Sequence, residues 1–282
     1  MRILIVGGNS SLARVLIPIL SEFAEIVTAG RSGCDIRLDL SESLTQLQLP
    51  QSIDVLINTA ATFDSTKQGM LYEAECINAI GTLKLCQLCT DTGINHMVQI
   101  SSIFADLNIR SPFFNAYALS KRHADELAQH YSDKTGLSLT IIRPSQFYGI
   151  GPAFRVHQPF FFSMIDKVAN GEDVTIYGKH DARRNFIHVE DVANVIAQAV
   201  LKKILGNFSC MQLEPVRYSD IVGAAAAAFN SNSQIRFLVE HKDIADNVFP
   251  FDNNLFELLD YYPRISLAQG MVKEAQYRKH RQ

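Results

Sequence analysis

Tyr117 and Lys121 stand four residues apart in Asn115-Ala116-Tyr117-Ala118-Leu119-Ser120-Lys121-Arg122-His123-Ala124-Asp125-Glu126-Leu127. The stretch has helical patterning, so both side chains leave one face of one helix. An ammonium a few ångström from a phenol favours phenolate and is expected to pull Tyr117 down from a pKa of about 10 toward neutrality, where it exchanges a proton with an alcohol or ketone. Tyr-x-x-x-Lys also arises by chance on solvated helices, so its weight depends on the segments around it.

Those segments position a ligand. Arg2-Ile3-Leu4-Ile5-Val6 is an apolar run suited to a buried parallel strand, and Gly7-Gly8-Asn9-Ser10-Ser11-Leu12-Ala13 opens a helical pattern through Leu12, Val15, Leu16 and Ile19. Strand, tight glycine turn and helix aim backbone N–H groups and a positive helix end at an anion such as a dinucleotide pyrophosphate. Small residues recur at Gly7, Ser10 and Ala13. Ile53 to Ala61 reads as another buried strand, and its small end residues, Ala60 and Ala61, leave room for a flat cofactor. His96 to Ser102 is a strand delivering two hydroxyls, Ser101 and Ser102, at its carboxyl end.

Taken together, these motifs resemble the extended short-chain dehydrogenase/reductase family, in its NAD(P)-dependent epimerase/dehydratase branch, over nearly the whole chain. The family's T-G-x-x-G-x-x-G becomes Val6-Gly7-Gly8-Asn9-Ser10-Ser11-Leu12-Ala13, keeping only the first glycine. The resemblance implies cofactor contacts at Gly7, Asn9, Ser10, Ser11 and Leu12, with the Ser10 hydroxyl able to donate to a phosphate. It implies adenine contacts at Asp39 and Leu40, and further cofactor contacts at Ala60, Ala61, Tyr117, Lys121 and Pro144. It places the group that binds the reacting oxygen at Ser102, with Ser101 as fallback, and makes Ser102, Tyr117 and Lys121 the catalytic set. Asn78 resembles the Asn of N-V-x-G-T, where a structural role is at least as fitting as a catalytic one.

Departures from the family narrow the chemistry. Its dehydratases carry Asp-Glu directly after the hydroxyl, whereas this chain has Ile103 and Phe104, which cannot transfer protons. Ile103 also stands where 3,5-epimerising members use Cys. After the second strand, Glu25 to Ala29, comes Gly30-Arg31-Ser32, with no acidic residue to bind a ribose 2′-OH. The Arg31 guanidinium suits a 2′-phosphate, so NADP(H) is favoured and NAD(H) remains possible. On the substrate side, Arg143-Pro144-Ser145-Gln146-Phe147-Tyr148-Gly149 resembles R-P-x-N-V-Y-G, with Gln146 in place of the substrate-contacting Asn. Arg184 falls on the Arg that binds the diphosphate of a nucleotide-sugar. His188 reads as a satisfied structural histidine and Asp191 as a helix cap.

At 282 residues, with apolar strands alternating with amphipathic helices, the chain calls for an α/β fold: a doubly wound parallel sheet of Rossmann type with a smaller α/β substrate-binding lobe. The expected dinucleotide-binding domain covers 1–149 and 182–205, and the substrate lobe 150–181 and 206–282. A net charge of −3 with no basic stripe gives no footprint for nucleic acid. No apolar run reaches a membrane span, residues 1 to 6 do not read as a signal peptide, and a cytoplasmic location is expected. Cys86 and Cys89 fall in a helical pattern and read as buried packing thiols, and no metal site is expected. Helices around 69–92 and 114–131 resemble the family's dimer helices, which implies a homodimer. The expected activity is hydride transfer at a carbinol or keto carbon of a nucleotide-sugar, leaning to a 4-keto-sugar reductase. The alternatives are a 4-epimerase with retained NAD and a non-catalytic dinucleotide-binding sensor.

Overall fold

A computed structural model describes residues 1–63 and 70–280. The strands in chain order are β1 (Arg2–Val6), β2 (Glu25–Gly30), β3 (Ile36–Arg37), β4 (Val55–Asn58), β5 (His96–Ile100), β6 (Ser138–Pro144), β7 (Gln146–Tyr148), β8 (Val174–Tyr177), β9 (Arg183–Arg184), β10 (Phe186–His188), β11 (Gly206–Cys210), β12 (Val216–Arg217) and β13 (Ile235–Leu238). The helices are α1 (Ser11–Leu20), α2 (Met70–Ala74), α3 (Gly81–Thr92), α4 (Ala116–Thr135), α5 (Pro152–Arg155), α6 (Pro159–Ala169), α7 (Val189–Leu201), α8 (Tyr218–Phe229), α9 (Asn254–Leu259) and α10 (Leu267–Lys279). A π-helical turn spans Glu75–Ile80, and 3-10 turns span Leu44–Gln46 and Ile103–Asp106. Of the helical segment expected from residue 69, Gly69 lies outside the described residues.

Among the described residues seven strands form one sheet in the order β3-β2-β1-β4-β5-β6-β11, with every pair parallel. Parallel strands covered on both faces need continuous apolar runs. Ile3, Leu4, Ile5 and Val6 supply one, each no more than 1% exposed. Each such side chain taken out of water contributes roughly 1.5–3 kcal/mol. The strand order reverses between β1 and β4, so the loops leaving their carboxyl ends part and open the crevice where doubly wound sheets take ligands. Cys86 and Cys89 are fully buried in the core, and burial pushes the Cys86 thiol up to about 12.

The chain divides into two compact units. One comprises Met1–Pro144, Ala193–Cys210 and Asp252–Tyr261; the other comprises Ser145–Val192, Met211–Phe251 and Tyr262–Gln282. These boundaries differ from the expected ones in four places, the first being residues 145–149, expected in the dinucleotide-binding domain, which open the second unit with β7. Residues 206–210, expected in the smaller lobe, form β11 and pair with Thr140 to Pro144 of β6. Their sequence, Gly-Asn-Phe-Ser-Cys, is half polar because the strand closes one edge of the sheet, so it lacks the run that marks a central strand. Residues 182–192 belong to the second unit, where β9 pairs with β12 and β10 with β7. Asp252–Tyr261 joins the first unit through buried Leu255, Phe256 and Leu259 of α9. Within the second unit, Tyr148, Phe161 and Phe186 form an aromatic cluster with centroid separations of 4.9 and 4.6 Å.

Candidate active site

Helix α4 starts where the Asn115 side chain accepts from the Ala118 N–H at 3.0 Å, a cap that fixes the first turn and with it Tyr117. Lys121 follows one turn later and is 2% exposed. Its Nζ donates to the Ile100 carbonyl at 2.9 Å and lies 5.9 Å from the Tyr117 ring centroid. The structure thus brings the pair onto one face, together with the end of β5. Ser102 caps the 3-10 turn by accepting from the Phe104 N–H at 3.2 Å, and its hydroxyl lies close enough to the Tyr117 phenol to lower the phenol's pKa. The fallback, Ser101, turns the other way and donates to Asp125 Oδ2 at 2.8 Å. The two hydroxyls are therefore distinguished: Ser102 meets the phenol and Ser101 does not.

The titration expected of Tyr117 is corrected. Burial pushes the phenol above its usual range, Asp125 adds to the rise, and the Ser102 hydroxyl opposes it. Burial also pulls Lys121 down to about 8. Desolvation penalises both charged forms at once, and it outweighs the help that the ammonium gives a phenolate. Tyr117 is therefore a protonated acid at neutral pH, not a phenolate.

One contact near the phenol was not legible in the sequence. Phe63 stacks on the Tyr117 ring, with centroids 5.0 Å apart and planes 27° from parallel. Asn78 lies in the π-helical turn, accepts from the Thr62 N–H at 2.9 Å, and donates to the Thr62 carbonyl at 3.0 Å and to Ser120 Oγ at 2.9 Å. It ties the segment leaving β4 to α4, which is the structural side of the two roles read for it.

The glycine turn has the form a dinucleotide needs. Gly7 has φ +82°, and a Cβ there would meet the Ala60 nitrogen at 2.6 Å. Ser10 Oγ accepts from the Ala13 N–H at 3.0 Å and is hydrogen-bonded to Thr59 Oγ1 at 3.0 Å, so its hydroxyl caps α1 instead of pointing away as a phosphate donor. No acidic side chain occupies the first turn, so the positive end of α1 is left for an anion, with the leading N–H groups of Ser11 and Leu12 unused by the helix. Asn9 Nδ2 donates to the Ser32 carbonyl at 2.5 Å and holds the loop that carries exposed Arg31. Asp39 is turned inward on Ser41, accepting from its N–H at 3.0 Å and its hydroxyl at 2.7 Å. Those bonds and the nearby Arg31 and Arg37 hold its carboxyl below the usual range. A carboxylate, brought from eight residues further along the chain, therefore neighbours Arg31. Leu40 is core, Ala60 and Ala61 follow β4, and Pro144 ends β6. These residues fit a dinucleotide: a bare helix start, a side-chain-free turn and small strand ends.

In the second unit, Gln146 Nε2 donates to Gln158 Oε1 at 3.2 Å. Arg184 is 7% exposed, donates from Nη1 to the Arg183 and Ala245 carbonyls at 2.8 Å each, and lies 5.2 Å from the Tyr218 ring centroid. His188 is fully buried; its Nδ1 accepts from the Glu190 N–H at 3.3 Å, and Nε2 has no hydrogen-bond partner among the described residues. It is structural but only half satisfied. Asp191 does not cap α7; its carboxylate accepts from the Arg264 and Ile265 N–H groups at 2.8 and 2.9 Å.

The profile of the NAD dependent epimerase/dehydratase family matches residues 3–207. The chain belongs to that family. Gly7, Ser102, Tyr117, Lys121 and Arg184 all lie inside the family match. Among curated proteins the chain is 24% identical over 255 residues to a dTDP-4-dehydro-6-deoxy-D-allose reductase of a Streptomyces species, covering 83% of this chain and 77% of that one. It is 25% identical over 216 residues to a UDP-glucuronate 4-epimerase of Thermodesulfobacterium geofontis, covering 72% of this chain and 65% of that one. Among solved structures, a UDP-N-acetylglucosamine 4-epimerase from Bacillus cereus superposes with TM-score 0.82 at 19% identity over 99% of both chains. A Bacillus cereus UDP-glucuronic acid 4-epimerase in complex with NAD gives TM-score 0.78 at 20% identity over 99% of both chains. The epimerase/dehydratase family thus includes reductases and epimerases among this chain's relatives, and the likeness to solved structures shows the fold. Among the described residues no helix is long and apolar enough to cross a membrane.

Proposed function

We propose that this chain is a reductase of a 4-keto group on a nucleotide-linked sugar, using NADPH. The observation that carries the reading is that Ser102, at the end of β5, meets Tyr117 and Lys121 on one face of α4, where burial raises the phenol pKa and keeps it protonated. A protonated phenol is a proton donor, which is what ketone reduction requires. In this reading the turn at Gly7 and the free N–H groups of Ser11 and Leu12 hold the pyrophosphate, Asn9 and Ser10 shape that turn, Arg31 holds the 2′-phosphate, the Asp39–Leu40 segment borders the adenosine, and Ala60, Ala61, Pro144 and Lys121 line the nicotinamide ribose end. The bound nicotinamide supplies the hydride. Ser102 holds the ketone oxygen, Tyr117 gives that oxygen its proton, and Lys121 one turn away stabilises the phenolate left behind. Gln146 contacts the sugar and Arg184 the diphosphate. Ile103 and Phe104, both without a proton to give, keep the site from eliminating water. A homodimer through α4 and the helical segment before it belongs to the same proposal.

One observation favours a second reading, a 4-epimerase that retains NAD. Asp39 sits close enough to Arg31 to be held down by it, so part of the positive charge meant for a 2′-phosphate is already answered. Mass spectrometry of the protein as purified separates the two. Absence of retained dinucleotide, together with NADPH oxidation on adding a nucleotide-linked 4-keto-6-deoxy sugar, is the expected outcome. Retained NAD with interconversion of UDP-sugars at carbon 4 would establish the epimerase.

A further inference from the structure

Asp125 stands eight residues after Tyr117 on the buried face of α4 and is 2% exposed. Its Oδ2 accepts from Ser101 Oγ at 2.8 Å and from Arg143 Nε at 2.7 Å. Arg143 also pairs with Asp106 of the 3-10 turn at 2.7 Å. One carboxylate oxygen therefore joins α4, the end of β5 and the end of β6, and Ser101 immediately precedes Ser102. The other oxygen, Oδ1, is buried with no hydrogen-bond partner among the described residues. The Arg143 ion pair and the Ser101 hydrogen bond stabilise the carboxylate, yet burial still raises its pKa. Its negative charge also reaches the site, raising the pKa of both Tyr117 and Lys121.

We propose that Asp125 is a positioning residue for proton transfer, holding Ser102 against Tyr117 through Ser101 and placing a fixed negative charge behind the Tyr117–Lys121 pair. The inference rests on the reading of Ser102, Tyr117 and Lys121 as the proton-transfer group. Its two parts separate by substitution. Ser101→Ala cuts the tether and keeps the charge; Asp125→Asn keeps the shape and the tether and removes the charge. The charged groups that act on Asp125 are Arg143 from β6 and Lys121 from its own helix, with Asp106 of the 3-10 turn on the far side of Arg143, and neither variant alters them. A negative charge near a phenol and an ammonium raises both pKa values, and its removal lowers both.

The test is steady-state kinetics of the full chain with NADPH and a nucleotide-linked 4-keto sugar, alongside circular dichroism. Ser101→Ala is expected to lose roughly 10- to 100-fold in kcat with cofactor KM within about twofold and an unmoved pH profile, because only the placement of Ser102 changes. Asp125→Asn gives up the Arg143 ion pair and is expected to stay folded with a lowered melting temperature, while the alkaline limb of kcat/KM moves to lower pH. A folded Asp125→Asn with the wild-type limb, or a Ser101→Ala with wild-type kcat, overturns the inference. If the wild-type protein turns over no nucleotide-sugar, the functional reading fails by itself. The inference is then decided by tyrosinate absorbance, titrated in wild type and Asp125→Asn with Tyr117→Phe as the blank: a lower Tyr117 midpoint upholds it and an equal midpoint overturns it.

Discussion

Tyr117 shows what residue types and spacing convey and what they omit. Its four-residue offset from Lys121 was visible in the sequence, because helical spacing alone puts the two side chains on one face. The sign of its pKa shift was not, because desolvation depends on the neighbours that tertiary packing brings, Phe63 among them. Likewise, adjacent Ser101 and Ser102 are equivalent as letters, and only the backbone at the end of β5 sends one to Asp125 and the other to the phenol. Replacing Tyr117 by Phe removes the proton and keeps the ring stack, so turnover is expected to fall by about 10²- to 10⁴-fold while cofactor Kd, measured by fluorescence titration, stays within a few fold. Arg31→Ala is expected to weaken NADPH binding at least tenfold more than NADH binding, the scale of one charge-assisted contact to phosphate. Equal losses would assign Arg31 to the solvent.

Elements were legible in proportion to how continuous their apolar pattern is. β1, β4 and β5 could be read because apolar residues dominate them, with their few polar members, such as Asn58 and Gln99, bonded to each other, whereas two-residue β3, β9 and β12 carry no pattern at all. The π-helical turn was invisible for another reason: it exists to present Asn78 to Thr62 and Ser120, partners distant in sequence. The turn after β1 gives the sharpest test at this scale. Gly7→Ala forces a side chain into a left-handed backbone and onto the Ala60 backbone at once, so unfolding free energy from urea titration is expected to drop by about 1–3 kcal/mol, with dinucleotide binding lost along with it. A Gly7→Ala protein that binds cofactor normally would show that the turn relaxes freely.

Across the whole molecule, stability should report the groups that the sheet buries. His96 opens β5, its Nε2 is hydrogen-bonded to Thr140 Oγ1 of β6 at 2.8 Å, and burial with nearby Lys203 pulls it down to about 4. A histidine depressed in the fold resists protonation while the unfolded chain accepts it, so stability falls as pH drops from about 6.5 toward 4 and levels off below. The full depression corresponds to up to about 3 kcal/mol, and a His96→Gln protein should show a flatter melting-temperature profile across that range. The division into units was the least legible feature, because it follows from which strand edge Gly206–Cys210 joins and not from any local signal. That late-joining strand has a consequence during synthesis. Among these strands β1 is synthesised first, yet β6 waits more than sixty residues for β11, as Gly206 pairs with Thr140. Until then the nascent chain displays a bare hydrogen-bonding rim, and a ribosome stalled in that interval presents other polypeptides with a ready template for aggregation.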